Sequence, residues 1–350
     1  MHQSRIALAG STMLTATLDH PKPALIRART TDSFMTFDQS TVDSTGAFLI
    51  SELERLDPKL HEPLVVVTWG RDIDLRSDVT IADEVSSFTN STFASPGGME
   101  PGGKAWIGKS VNAITGIALD IGKTAQPLHL WGMELSYTLP ELAMAAKLGR
   151  PIDQMKFNAM QLKYQMDIDE QVYIGDAKLG AYGLLNNPNV AVVPVGTGVG
   201  GTTWAVKTPN EILADVNLII NSAWAAAAYA VAPTHMLLPP IAFSRLVANL
   251  ISTAGSQSIL NYLRDNSLSN TINGTPLIIA PVKWLAGRGV GGLDRAIVYS
   301  KSEDRVRFPL TPLNRTPIEY RSLYQMTTYW GRIGQVEFVF PETAAFLDGI

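Results

Sequence analysis

The spacing of hydrophobic and polar residues predicts strands in the region before residue 115. Residues 64–69 form a β-branched and aromatic run that is typical of a strand. Two polar-rich stretches, 85–93 and 104–114, flank a segment rich in glycine and proline at 95–103. Because such a segment cannot continue a strand, the pattern predicts a long β-hairpin. The hairpin has few large apolar residues, so we expect it to pack on the body or on another chain.

Two helices are predicted in the middle of the chain. Thr138 and Glu141 have the spacing of a capping box with Pro140 in the first turn, which predicts a short helix up to Lys147. A second helix is predicted over 151–173, about 34 Å long at 1.5 Å per residue. Its expected buried stripe follows three- and four-residue steps and consists of Ile152, Met155, Ala159, Leu162, Met166 and Tyr173.

Strands and helices are mixed in the second half, which makes the chain α+β. Strands are predicted at 190–195, 234–238, 276–280 and 295–299, helices at 208–230, 241–251 and 256–264, and a closing strand pair at 320–330 and 335–340. Thr208 and Glu211, with Pro209 at the first helical position, predict a second capping box at the start of the helix 208–230. The first 63 residues look irregular, with one short helix at 48–56. We therefore interpret them as an extended arm without its own core.

The composition narrows the class of protein. The 350 residues are 46% hydrophobic and 17% charged, and the charged share is below the roughly 25% of ordinary soluble domains. This excludes disorder throughout and suggests surface that is hidden against other chains. A net charge of −4 argues against a protein whose main task is to bind the phosphate backbone of nucleic acids. The absence of cysteine excludes disulfides and thiolate sites.

Membrane insertion and secretion are not expected. The most apolar window, 219–232, spans about fourteen residues, whereas a membrane-spanning helix needs about twenty. A buried helix is therefore the preferred interpretation. The first 18 residues contain too many Gly, Ser and Thr for the apolar core of a signal peptide.

The sequence offers little catalytic or cofactor chemistry. The five histidines have no metal-ligand spacing, so no metal site is expected. Residues 196–201 and 287–292 match the letters of a dinucleotide fingerprint, but no helix opens directly on either loop, so turns are the preferred interpretation and no cofactor is expected. The carboxylates Asp167, Asp169 and Glu170 are expected on a solvated helix face.

The order of the parts carries a resemblance. The segments concerned are Glu-Leu-Ser-Tyr-Thr-Leu-Pro-Glu-Leu at 134–142, the long helix, its exit Gly-Asp…Gly-Leu-Leu-Asn-x-Pro within 173–188, and the stretches 235–240, 260–263 and 340–350. Together they resemble the major capsid proteins of tailed bacteriophages, which have the Hong Kong 97-type capsid fold. The similarity is to a phage and prophage subgroup formerly of unknown function. Encapsulin shells share the fold.

The resemblance implies a domain organisation. It implies an N-terminal arm (1–63), an extension loop formed by the long hairpin (64–114), and an axial domain (190–320). It further implies a peripheral domain made of 115–189 and about 321–350, with the long helix 151–173 as its spine. Assembly contacts are expected near the hairpin tip, at Pro96, Gly97, Gly98, Met99 and Trp106.

The resemblance also implies a function. The expectation is a non-enzymatic major capsid protein that self-assembles as hexamers and pentamers into an icosahedral shell. The implied partners are scaffolding, portal and cement proteins and enclosed double-stranded DNA, without a membrane, and the implied location is the virion, assembled in the bacterial host cytoplasm. An encapsulin-like shell protein is the first alternative. A soluble α+β nucleotide-dependent enzyme is the second, and it would use one of the glycine loops.

Overall fold

The computed structural model describes residues 65–94, 117–148, 152–251 and 257–350. Nearly all of them belong to one compact unit, Val67–Ile350, and the fold below is that of this unit. The predicted arm (1–63) and the predicted hairpin strand at 104–114 lie outside the described residues.

The described helices are interspersed among the strands along the chain. The helices are α1 (Trp69–Asp72), α2 (Leu139–Leu148), α3 (Ile152–Tyr173), α4 (Pro209–Ala226), α5 (Pro240–Ala248), α6 (Ile259–Asn266) and α7 (Leu268–Asn273). The strands of the first half are β1 (Asp74–Arg76), β2 (Val85–Ala94), β3 (Ala118–Pro127), β4 (His129–Thr138) and β5 (Ala191–Pro194). Those of the second half are β6 (His235–Leu238), β7 (Ile278–Pro281), β8 (Arg295–Tyr299), β9 (Val306–Pro309), β10 (Asn314–Arg315), β11 (Glu319–Arg321), β12 (Tyr324–Ile333), β13 (Glu337–Phe338) and β14 (Ala344–Asp348).

A five-stranded mixed sheet in the order β5-β14-β8-β6-β7 organises the second half. Alternate side chains of a strand point to opposite faces, and here each face has its own core. On β14, Phe346 joins the core that includes α3, whereas Ala345 and Leu347 join the core under α4. The sheet is therefore the layer that separates the two cores.

A second sheet lies against the long helix α3. β4 and β12 form an antiparallel ladder from His129 opposite Ile333 to Thr138 opposite Tyr324. β10 and β11 pair with the other edge of β12. Leu135 and Tyr137 of β4 pack with Met160 of α3 in a small separate core.

The long helix was predicted within one residue at its start, but of its predicted buried stripe only Tyr173 is buried, and the other five residues are half-buried or exposed. Its buried side chains are Met160, Tyr164, Ile168, Asp169, Val172 and Tyr173. Ala159, at the centre of the predicted stripe, is exposed. Apolar residues occur on more than one side of this helix, so its sequence alone did not identify the side that packs on the sheet.

Two predicted strand assignments are also wrong. Within the predicted run 64–69, the described residues 65–69 do not form a strand, because the N–H groups of Thr68 and Trp69 donate to the Asp169 carboxylate (2.9 and 3.1 Å) and helix α1 begins there. The closing segments do not pair with each other, since β12 pairs with β4 and β13 pairs with β9. All of these partners are distant in sequence, so no local pattern could reveal them.

Both predicted capping boxes are confirmed. The Thr138 hydroxyl accepts from the N–H of Glu141 (3.2 Å) at the start of α2. At the start of α4, the Glu211 carboxylate accepts from the N–H of Thr208 (2.7 Å). Within the described ranges, no helix is both long and apolar enough to cross a membrane.

Candidate functional site

The hairpin is a two-stranded sheet of its own. β2 and β3 pair antiparallel over ten residues each, from Val85 opposite Pro127 to Ala94 opposite Ala118. The pairing partner is thus later in the sequence than the predicted stretch 104–114. An isolated two-stranded ribbon has two open faces, and such a ribbon is at best marginally stable in water unless something covers it.

One face of this ribbon carries, near residues 117–121, an apolar row that is uncovered in the single chain. Ile117, Leu119 and Ile121 alternate with polar or small residues and are 73%, 61% and 61% exposed. Val85, opposite Pro127 in the ladder, lies on the same face and is also exposed. Contiguous apolar surface of this kind is typical of a protein–protein contact.

The assembly residues predicted from the sequence do not include Ile117, Leu119 and Ile121. Pro96, Gly97, Gly98, Met99 and Trp106 all lie outside the described residues, so the expectation for them stays a prediction. The signal for the row was present in the sequence, since Ile-Ala-Leu-Asp-Ile at 117–121 alternates with a period of two. It was missed because the second arm of the hairpin was expected to end at residue 114.

A charged cluster holds the base of the ribbon against the body. The Glu337 carboxylate is fully buried and accepts from the Ser86 hydroxyl of β2. It also pairs with Arg307 (Nε–Oε2 2.8 Å) and with Arg76 (Nη1–Oε2 3.3 Å). The pKa of Arg76 is raised above its usual value, first by a bidentate pair with Asp78 and also by Glu337. The same pair lowers the pKa of the Asp78 carboxyl. The four residues of the cluster come from different segments of the chain: Arg76, Ser86, Arg307 and Glu337.

The first glycine loop, 196–201, is occupied by carboxylates of the same chain. The N–H of Val199 donates to Glu211 (2.8 Å), and the N–H of Gly196 donates to Asp215 (3.2 Å). Hydrogen bonds from the backbone of Val199 and Thr208 lower the pKa of Glu211. The loop thus forms a turn that wraps the start of α4, and its amide donors serve the fold.

The backbone amides of the second glycine loop, 287–292, also donate to carboxylates of the same chain. The N–H of Gly287 donates to Asp294 (2.9 Å), and the N–H of Val290 donates to Asp348 (3.1 Å). Arg295 holds Asp348 with two bonds of 2.6 and 2.7 Å. A phosphate on these amides would have to displace a carboxylate that is already paired.

The acidic residues of α3 do not form the solvated face that was expected. Asp169 is buried, and besides the two backbone N–H groups of α1 it accepts from Trp284 Nε1 (2.7 Å). Asp167 accepts from Trp131 Nε1 (3.0 Å) and pairs with Lys163. Only Glu170 is exposed as predicted. The carboxylates of Asp167 and Asp169 therefore connect α3 to neighbouring segments through hydrogen bonds.

His235 is a buried histidine at the start of β6. Its ring lies 5.6 Å from that of Tyr299, and its Nδ1 is 2.8 Å from the Thr234 hydroxyl. Burial lowers the pKa of His235 to about 4, and Lys301 contributes to the decrease. Among the residues that the structure describes, no group of three or more His, Asp or Glu side chains could hold a metal ion.

Comparison with known proteins adds a family and several solved structures. A family model described as Major capsid protein matches residues 102–350. The capsid of Myoviridae phage XM1 aligns with a TM-score of 0.69 at 18% identity, covering 85% of this chain and 97% of that chain. No curated protein matches.

Two further structures have the same fold at lower similarity. Mycobacterium phage Adephagia aligns with a TM-score of 0.54 at 13% identity, covering 88% of this chain and 97% of that chain. The capsid of a native GTA particle aligns with a TM-score of 0.54 at 12% identity, covering 88% and 98%. At these identities the likeness concerns the fold.

Proposed function

The chain belongs to the major capsid protein family, and from this membership we propose how its parts contribute to a shell. As a member of that family it is a structural shell protein of the virion, and it associates with copies of itself in capsid oligomers. We propose that these oligomers are the pentamers and hexamers of an icosahedral shell, because closed shells repeat the same contacts around symmetry axes.

The proposed division of the chain follows the predicted domains. The five-stranded sheet and α4 belong to the axial domain (190–320), and α3 with the β4–β12 sheet belongs to the peripheral domain (115–189 and about 321–350). Two elements cross this division: β14 lies inside the axial sheet between β5 and β8, and β3, within 115–189, is the second strand of the hairpin. The last residues of the chain therefore contribute to both domains.

The hairpin is the proposed extension loop, and its apolar face is the proposed contact with a neighbouring subunit. The observation that supports this proposal is the uncovered row of Ile117, Leu119 and Ile121 on a ribbon that, among the described strands, consists of β2 and β3 alone. A second copy of the chain would cover these side chains and remove their apolar surface from water.

Other partners and the site of assembly are proposals as well. Scaffolding, portal and cement proteins are the proposed partners in building the shell, and assembly is proposed to occur in the host cytoplasm. Double-stranded DNA is the proposed content, held without sequence-specific contacts, and the net charge of −4 favours weak adsorption of DNA. The shell subunit is proposed to have no catalytic role.

The encapsulin-like alternative has less support. The matching family is described as Major capsid protein, and the compared structures are phage and GTA capsids. The glycine loops give no support to the alternative of a nucleotide-dependent enzyme. Their backbone amides donate to carboxylates of the same chain, namely Glu211, Asp215, Asp294 and Asp348.

Oxidative footprinting of side chains tests the hairpin contact. Unassembled subunits and assembled particles are exposed to hydroxyl radicals, and modification is quantified by mass spectrometry. We expect Leu119 and Ile121 to be protected on assembly, whereas Lys123, farther along β3, serves as an internal reference for general access to the ribbon. Equal modification of Leu119 and Ile121 in both states would contradict the proposed contact.

A further inference from the structure

Four segments of the chain meet at the base of the hairpin. Arg76 comes from β1, Ser86 from β2, Arg307 from β9 and Glu337 from β13. β1 pairs parallel with β9, and β13 pairs antiparallel with β9, so three of the four residues stand on one small sheet of the body. Ser86 is the hairpin's own member of the cluster.

The geometry makes Glu337 the centre of this cluster. Its carboxylate is fully buried, and a buried carboxylate must be paired and hydrogen-bonded to be tolerated. Arg76 and Arg307 supply the charges, and the Ser86 hydroxyl supplies a further hydrogen bond. Arg76 also donates to the Ser86 hydroxyl (2.8 Å) and to the Ser87 carbonyl (3.0 Å). The start of β2 is therefore held from two sides.

The hairpin leaves the body within a few residues of this point: Phe88 is half-buried, and the Asn90 side chain donates to the Val339 carbonyl (3.2 Å). Ser86 is buried, but β3 is exposed along almost its whole length, from Ala118 to Ala125. From Ser86 to Ala94 the ribbon extends about 27 Å at about 3.4 Å per residue. A rotation of about 5° at Ser86 would therefore displace Ala94 by about 2.4 Å, which is large compared with the fit of a packed interface.

We propose that Glu337 is a positioning residue that fixes the direction of the hairpin through Ser86 and Arg76. The inference rests on the proposed role of the hairpin as a contact between subunits. A fixed direction places the row of Ile117, Leu119 and Ile121 at a defined angle to the body. The angle between neighbouring subunits, and with it the diameter of the shell, then depends on the cluster.

The absence of cysteine allows a direct test in the full chain. Two cysteines introduced at Asp120 on the hairpin and at Glu303 on the body carry spin labels, and the distance distribution between them is measured by pulsed electron resonance on unassembled subunits. Both positions are exposed, and the labels are confined to them because the natural chain has no other thiol.

Two variants weaken the cluster, and one leaves it intact. Glu337→Gln removes the charge that pairs with both arginines, and Ser86→Ala removes the hairpin's hydroxyl while keeping the ion pairs. Glu84→Gln is the control, because Glu84 is an exposed carboxylate two residues before Ser86 and contributes no contact to the cluster described above. Melting curves identify any variant that fails to fold, and Ser86→Ala, which buries no unpaired charge, is expected to fold.

We expect the label distance to shift or its distribution to broaden by about 2 Å in Ser86→Ala and Glu337→Gln, and to be unchanged in Glu84→Gln. Shells of altered diameter in electron micrographs of the two cluster variants are the second expected result. A label distance in Ser86→Ala equal to that of the unmodified cluster would overturn the positioning role. A changed distance with shells of unaltered diameter would leave the positioning intact and contradict the proposed hairpin contact.

Discussion

Replacing Leu119 and Ile121 together by serine removes most of the apolar row on the hairpin. Both side chains are 61% exposed in the single chain, so little of their apolar area contributes to the folding of the subunit. We expect the double variant to fold, with a loss of stability below about 1 kcal/mol that reflects the lower strand preference of serine.

The expected loss in assembly is much larger. Full burial of a Leu or Ile side chain contributes about 1.5–3 kcal/mol, and the exposed share of each side chain corresponds to about 1–2 kcal/mol. The two together give about 2–4 kcal/mol per contact if a neighbour covers them, and this is an upper estimate. At 1.4 kcal/mol per factor of ten, the association constant of one contact falls by about 30-fold to several hundred-fold.

Sedimentation velocity over a series of protein concentrations measures this effect as the concentration above which particles form. The control is the variant Ala118→Ser with Thr124→Ser, since both residues lie on the opposite face of β3 and both are exposed. We expect the control to assemble at the concentration of the unaltered chain. If the Leu119 and Ile121 variant also assembles at that concentration, the apolar row is not an intersubunit contact.

Three further predictions concern buried polar groups. Asp169→Ala should destabilise the fold by about 2–4 kcal/mol in urea unfolding, because three N–H donors lose their acceptor, whereas Glu170→Ala on the exposed side should change stability by less than about 0.5 kcal/mol; equal effects would refute this role of Asp169. Lys207→Met should destabilise the fold by about 3–5 kcal/mol, because it removes the cation that pairs with the buried carboxylate of Asp215. Lys163→Met, which breaks the partly exposed pair with Asp167, should destabilise it by less than about 1 kcal/mol. Equal melting temperatures of the two variants would contradict this difference. Because burial lowers the pKa of His235 to about 4 in the folded chain, the unfolded chain binds the proton first as the pH falls below about 6.5, so stability should be lost between pH 6.5 and 4 and His235→Gln should reduce that loss; an unchanged pH profile would exclude the effect.

Local signals in the sequence were sufficient for many elements. The capping residues Thr138 and Thr208 fixed two helix starts, because a capping box satisfies backbone donors within four residues. The strand 295–299 was predicted with its observed bounds, since it is an apolar run that is buried on both faces. The order of parts was sufficient for the family.

Other features depended on partners far away in the sequence. β14 was not predicted, although it lies inside the sheet between β5 and β8, and its neighbours are more than forty residues away in the chain. The burial of Asp169 required α1, a short helix about a hundred residues earlier. Both sites owe their structure to tertiary contacts, which override local preference.

The candidate contact surface was predicted only in outline. A hairpin with too little core was expected, and the ribbon of β2 and β3 agrees with that expectation. The apolar row at 117–121 lay just beyond the predicted end of the hairpin. The cluster around Glu337 could not be predicted, because its four residues come from four separate strands.

Electron microscopy of the purified chain under assembly conditions tests the central claim most directly. A structural shell protein of this family should form closed particles of uniform diameter, with the hairpin of each subunit lying on a neighbour. A stable monomer that forms neither capsomers nor shells at any protein concentration or ionic strength would contradict the account.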